Sequence, residues 1–401
     1  MNTQSQTALR KPKATAAADN PRIAQVRDWL LPRKPEMVAS LRELVLLESP
    51  THHKAACDKL CAVLADQFQQ LGGRVKLHRQ KKAGDHLQVD FAGARGHKPV
   101  LLLGHYDTVY NTGTLATMPW RESKGLVYGP GVFDMKGGIV QMMFAIRALH
   151  ETGPLPRPVT VLLVSDEEEG SETSRVLTEK IASRCEVVLV CEPAGHGGAL
   201  KTARKGVGSF SIRVSGVASH AGLDFEKGHN AILELSHQIQ AVAAMTNLER
   251  GITLNPGVIR GGTRTNVVPP EAEAEFDLRI ASKVDGDVMM RKVRALRAVN
   301  KKCKLHVEGG VNRPPLERSP QVVALFRQAQ RVAGQLGFSL SEVAVGGGSD
   351  GNFTAGMGIP TLDGLGAVGD GAHSPRESVV AAEMPRRAAL LAGLMASVRI
   401  F

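Results

Sequence analysis

Four consecutive carboxylates, Asp166, Glu167, Glu168 and Glu169, follow the apolar run Val159-Thr-Val-Leu-Leu-Val-Ser. Like charges this close repel and raise one another's pKa unless a cation or a proton sits among them. A solvated acidic loop would read the same way, but two further apolar runs end in similar chemistry. Pro99-Val-Leu-Leu-Leu-Gly104 enters His105-Tyr-Asp107, and Val187-Val-Leu-Val-Cys191 enters Glu192. Ligands gather at the carboxyl ends of strands in open α/β sheets. Three such runs delivering His, Asp and Glu to one edge point to a metal site.

The residue types suit hydrolysis. The period-two spacing of His105 and Asp107 puts both side chains on one side of an extended segment. There Asp107 can hold the imidazole's second N–H and so orient the ring. Asp134 stands between Gly131 and Gly137, where crowding is relieved and a helix begins. A carboxylate at such a point can bridge two cations. Glu168 and Glu192 can each add an oxygen donor, and His373 a second imidazole. Shared in this way, the five residues give each of two ions three protein donors. An open ion pair of this kind polarises a carbonyl and generates hydroxide near neutral pH. Glu167, beside a donor but spare, is the candidate general base. Such His and carboxylate donors accept Zn2+, Co2+ or Mn2+ alike.

The elements that must position these groups read as an α/β fold. Uninterrupted apolar runs predict a mostly parallel sheet flanked by helices. After His105-Tyr-Asp107 a long loop rich in Gly, Thr and Pro leads to Gly129, and a helix follows from Ile139. Beyond Glu192 the texture changes, and Gly206-Val-Gly-Ser-Phe-Ser-Ile-Arg-Val-Ser-Gly216 alternates as a sheet with one wet face does. Strand, helix, two strands, helix, strand over this stretch is the ferredoxin-like split arrangement. The expected organisation is a disordered tail over 1–20 and a catalytic domain over 21–205 and 315–401. An inserted α+β domain occupies 206–314.

Composition excludes several other functions. No apolar run reaches the roughly 18 residues of a membrane span. The N-terminus has basic residues but no apolar core of a signal peptide, so a cytoplasmic location is expected. Five scattered cysteines do not suggest a disulfide framework. The formal charge of +11 is carried partly by the tail and partly by Met290 to Lys304, which reads as a solvated amphipathic helix. No aromatics interleave with the charge, so no nucleic-acid partner is expected.

Taken together, His105-Tyr-Asp107, Gly131-Val-Phe-Asp134-Met-Lys-Gly-Gly138, Ser165-Asp-Glu-Glu-Glu-Gly-Ser171, Glu192-Pro and Gly371-Ala-His373-Ser resemble a co-catalytic di-zinc family. Its members include aminoacylases, succinyl-diaminopimelate desuccinylases and glutamate carboxypeptidases. Ala218-Ser-His220-Ala-Gly222, Thr265-Asn266-Val-Val-Pro269 and Gly346-Gly-Gly-Ser-Asp350 follow in the family's order. Within it the chain is most similar to bacterial folate-cleaving glutamate carboxypeptidases. The resemblance implies one metal on His105, Glu192 and Asp134, and a second on Asp134, Glu168 and His373. It implies that Glu167 moves the proton from water to the leaving nitrogen. The inserted domain would be a lid that forms a homodimer, with His220 stabilising the oxyanion in the partner's site. Asn266, Arg279 and the backbone at Gly348 match positions that hold a substrate carboxylate. Arg313, and Lys201 beside it as an alternative, would meet an acidic side chain. The implied substrate is an N-acyl amino acid or short peptide with a free α-carboxylate, releasing glutamate. A deacylase or dipeptidase without glutamate preference is the alternative.

Overall fold

The computed structural model describes residues 20–398, so the tail expected over 1–20 lies, apart from Asn20, outside the described residues. The larger sheet runs Arg74–His78, His86–Phe91, Val159–Val164, Val100–His105, Val187–Val190, Thr361–Leu362. The last four are mutually parallel, and His86–Phe91 is antiparallel to its neighbours on both sides. Both faces are covered, which is why the central runs carry no polar alternation. Leu102 packs into the helix-backed main core, while Leu101 and Leu103 pack into a second cluster with Ile181 and Ala182.

Register sets the level of the site. His105 pairs with Val164, and Leu103 pairs with Val190. The segment Ser165 to Glu168 and Glu192 therefore leave the sheet beside His105, at one carboxyl edge. The helix Gly137–Glu151 begins against that edge, so closely that a Cβ on Gly138 would lie 2.1 Å from the carbonyl oxygen of Cys191. Backbone cannot yield there as a side-chain tip can. Gly138→Ala is expected to cost about 1–3 kcal/mol of stability through overpacking. An unchanged denaturation midpoint would show that helix and strand part freely.

The second sheet is wholly antiparallel, in the order Thr253–Gly261, Glu271–Ile280, Gly206–Ser215, Lys304–Arg313. Its buried residues alternate, and they pack against the helices Ala231–Ala243 and Lys283–Arg294 in a core of their own. Phe210 and Phe276 stack at its centre, 4.9 Å between ring centroids.

Two local expectations are corrected. The basic helix, expected over Met290 to Lys304, runs Lys283–Arg294 instead, so only Met290 to Arg294 of that stretch is helical. Ser282 caps its start, and Glu234 accepts from Val299 and Asn300 N–H while Gln238 donates to the Arg297 carbonyl, so a neighbouring helix captures the chain beyond it. The stretch between Asp107 and Gly129 is not all loop. Arg121–Ser123 and Leu126–Tyr128 form a hairpin, and the latter pairs with Ser378–Val380 just after His373.

Candidate active site

His105 closes its strand with the ring buried. Its Nδ1 lies 3.1 Å from the Asp107 carbonyl oxygen and 3.3 Å from Asp107 Oδ1. Asp107 Oδ2 accepts from Thr51 Oγ1 at 2.8 Å and from the Glu168 N–H at 3.3 Å. The residue expected to orient the imidazole is thus in place and itself held. Nε2 of His105 faces Asp134 Oδ1 at 3.2 Å and Glu192 Oε1 at 3.3 Å.

The other oxygen of Asp134 faces the other imidazole. Oδ2 lies 3.3 Å from His373 Nε2, which is also 3.1 Å from Glu168 Oε2. His373 takes a left-handed backbone, φ 60°. Non-glycine residues adopt it at a cost, and mostly at functional sites. Glu377 holds the surrounding segments together. Its carboxylate accepts from the N–H groups of Gly131, Phe133 and Asp134 and from the Tyr110 hydroxyl.

These separations suit cations. Donors at about 2.0–2.1 Å around a tetrahedral ion are roughly 3.3 Å apart, as the imidazole and carboxylate atoms are here. Glu168 Oε1 is buried with no hydrogen-bond partner. Donor atoms of His105, Asp134 and Glu168, and those of His105, Glu167 and Glu192, each lie within 4.8 Å of one another. Hydrogen bonds to Asp134 and Glu168 lift His373 to about 10, and although burial opposes it, Asp107, Asp134 and Glu192 hold His105 well above the ordinary imidazole range. The carboxylates draw positive charge onto both rings. The residues present therefore fit a pair of divalent ions.

Glu167 lies beside His105 but, among the described residues, forms an ion pair with neither imidazole. Burial pushes its carboxyl well above the usual range, against the opposing pull of Arg313. Arg313 departs from expectation. The sequence places it as a cation for a substrate side chain, yet it is 5 % exposed and both of its terminal nitrogens have partners within the chain. Its guanidinium lies 3.0 Å from Glu167 Oε1 and 2.8 Å from Asp350 Oδ1, and also donates to the Glu167 carbonyl and Ser171 Oγ. With both terminal nitrogens turned to Glu167, Asp350 and Ser171, Arg313 is a partner of Glu167.

Lys201 is partly buried, and its ammonium has no hydrogen-bond or ion-pair partner among the described residues. Burial, then the nearby Arg204, push it below its ordinary value, while Asp363, Glu192 and Asp134 act in the opposite sense. Arg279 pairs with Asp277 two residues back on its own strand, at 2.8 Å, half-exposed. Such pairs contribute little and yield readily to a better partner. Arg279 and Arg313 stand opposite the same residue, Val207, from the two flanking strands. Gly348 approaches that point too, since a Cβ there would meet Val207 and Arg313 within 3.1 Å. His220 and Asn266 lie apart from the ion cluster. His220 belongs to a short ribbon, paired with Val267 next to Asn266, and it touches none of the five candidate ligands within the described residues.

A sequence model of the peptidase family M20/M25/M40 matches residues 101–397. The chain belongs to this family. It is 31% identical to carboxypeptidase G2 of Pseudomonas sp. (strain RS-16), over 97% of both chains. Its fold matches that of the aminopeptidase PepT from Bacillus cereus with a TM-score of 0.77, at 24% identity over 90% of this chain and 98% of that one. It also matches YxeP of Bacillus subtilis, described as a dinuclear metal-binding peptidase of the M20 family. There the TM-score is 0.65 at 15% identity, over 90% of this chain and 97% of that one. The family expected from the motifs is the family found. The chain is accordingly a metal-dependent M20 hydrolase acting on peptide-like bonds. Among the described residues, no helix is long and apolar enough to cross a membrane.

Proposed function

We propose that this M20 hydrolase uses two divalent ions, Zn2+ first among them, to release a C-terminal glutamate from N-acyl-glutamates or short peptides. The observation that carries the two-ion reading is Asp134, whose two oxygens each face a different imidazole. His105, Glu192 and Asp134 would hold one ion, and Asp134, Glu168 and His373 the other. Bound there, the ions would polarise the scissile carbonyl and acidify a water. Glu167 takes the water's proton and delivers it to the leaving nitrogen, while Arg313 fixes its carboxylate. Asp107 keeps His105 oriented, and Asn266, Arg279 and the Gly348 N–H hold the α-carboxylate.

The catalytic domain is assigned to 21–205 and 315–401, and the ferredoxin-like insert at 206–314 serves as lid and dimer contact. Support comes from the edge strand Thr253–Gly261, which has one side unpaired among the described residues. It carries Val258 and Ile259 in the open, and half-exposed Ile232 of Ala231–Ala243 lies against its Gly261 end. An unpaired apolar edge is a ready template for pairing with a second copy.

With Arg313 engaged, Lys201 becomes the cation for the glutamate side chain. A charge-assisted contact to a desolvated carboxylate contributes about 1.5–3 kcal/mol, or roughly 10- to 150-fold in kcat/KM. Metal-replete enzyme should favour N-acyl-glutamate over N-acyl-glutamine by about that factor, and Lys201→Ala should remove most of the gap. Equal rates on Glu, Gln and Leu substrates would discard glutamate and leave a deacylase or dipeptidase of broad preference.

A further inference from the structure

Arg204 ends the strand Leu200–Arg204, buried at 4 % exposure. All five of its N–H donors are taken. Nε and Nη2 donate to the two oxygens of Asp363 at 2.8 and 2.9 Å. Nη2 also donates to Glu192 Oε2 at 3.2 Å, and Nη1 to the carbonyls of Gly347 and Gly348 at 3.2 and 3.0 Å. Asp363 is anchored in turn by Ser349 Oγ at 2.6 Å.

We propose that Arg204 is the positioning residue that sets Glu192 for its ion and the Gly348 N–H for the substrate's α-carboxylate, on the two-ion reading above. The first half follows from the two oxygens of Glu192. Oε2 is held by Arg204, which leaves Oε1 alone to face His105 Nε2 at 3.3 Å. Glu192 is thereby restricted to a single-oxygen donor. Groups that orient a ligand in this way commonly govern 10- to 100-fold in metal affinity.

The second half follows from peptide geometry. In a planar trans peptide the C=O and the N–H point in opposite directions. With the Gly347 carbonyl drawn to Arg204, the Gly348 N–H must face away from the guanidinium. It has no acceptor among the described residues. Gly346 to Gly348 have no side chains of their own to fix these peptides, so the buried fork does it. One cation thus couples ion binding to carboxylate recognition.

A buried ion pair could instead serve stability alone, and the test separates the two. Arg204→Lys keeps the charge but cannot reach Asp363, Glu192 and two carbonyls together. Calorimetric titration of metal-free protein with Zn2+ is expected to show one of two equivalents weakened about 10- to 100-fold, the other little changed. In parallel, the preference of the loaded enzyme for an N-acyl amino acid over its α-amide should shrink through KM. Asp363→Asn loosens the fork while leaving the Arg204 contacts to Glu192 and to the Gly347 and Gly348 carbonyls in place, and the amide oxygen can still accept from Ser349 Oγ. It should give the same two changes on a smaller scale, and it decides the matter if Arg204→Lys does not fold. Wild-type values for either the weakened equivalent or the α-carboxylate preference overturn the proposal. Fewer than two Zn2+ equivalents in the unmutated protein would instead sink the two-ion reading.

Discussion

Glu167→Gln is expected to keep its metal ions and lose at least about two orders of magnitude of turnover, the scale of general-base loss. The amide is nearly isosteric, and its oxygen can still accept from Arg313, which lies 3.0 Å from Glu167 Oε1. Arg313 also retains Asp350 at 2.8 Å, so no buried cation is stranded. What the amide cannot do is take a proton. Glu168 is the contrasting neighbour, since its Oε2 faces His373 at 3.1 Å. Glu168→Gln should therefore lose an ion before it loses chemistry. Metal analysis and single-turnover rates on both variants decide the assignment. If Glu167→Gln sheds an ion while Glu168→Gln stays loaded, the two glutamates exchange roles.

The adjacency of these two glutamates is visible in the sequence, but their division of labour depends on partners that the sequence scatters. The strands Val100–His105, Val159–Val164 and Val187–Val190 were legible because burial on both faces removes all polar alternation. Asp134 was legible through its glycine flanks, and the second sheet through its period of two. Arg204 and Glu377 were not. Each is a single charged residue near a motif, and nothing local tells a buried clamp from a solvated side chain. Arg313 shows why charge alone misleads. Its chemistry suits a substrate carboxylate, but its position opposite Val207 delivers it to Glu167 and Asp350. The Arg121–Tyr128 hairpin was hidden by its turn, Lys124-Gly125, both at positive φ. That geometry usually announces itself as Asn-Gly or Asp-Gly. The basic helix lies earlier than its spacing suggests: its first turns, from Lys283, carry little of the basic charge, and beyond Arg294, where the apolar spacing continues, Glu234 and Gln238 stop it from outside.

His220→Ala is expected to reduce kcat by about 100- to 1,000-fold with KM little changed, the signature of an oxyanion donor contributing about 3 kcal/mol to the transition state. The ring is prepared for that task. Its Nδ1 accepts from the N–H groups of Gly222 and Leu223, both at 3.1 Å. In a neutral imidazole the other nitrogen then carries the proton, so Nε2 is a donor. The ring is exposed and touches none of the five candidate ligands of its own chain, which is what a residue serving a neighbouring subunit requires. Mixing supplies the decisive comparison. When His220→Ala and Glu167→Gln chains are reassorted in equal amounts, half of the two-fold dimers are mixed. If His220 acts across the interface, each mixed dimer regains one complete site, and about a quarter of wild-type activity returns. If it acts within its own chain, every site keeps a defect and nothing returns. A protein that light scattering finds monomeric and fully active would remove the partner from the mechanism. A change confined to KM would remove the oxyanion role and leave His220 a binding residue.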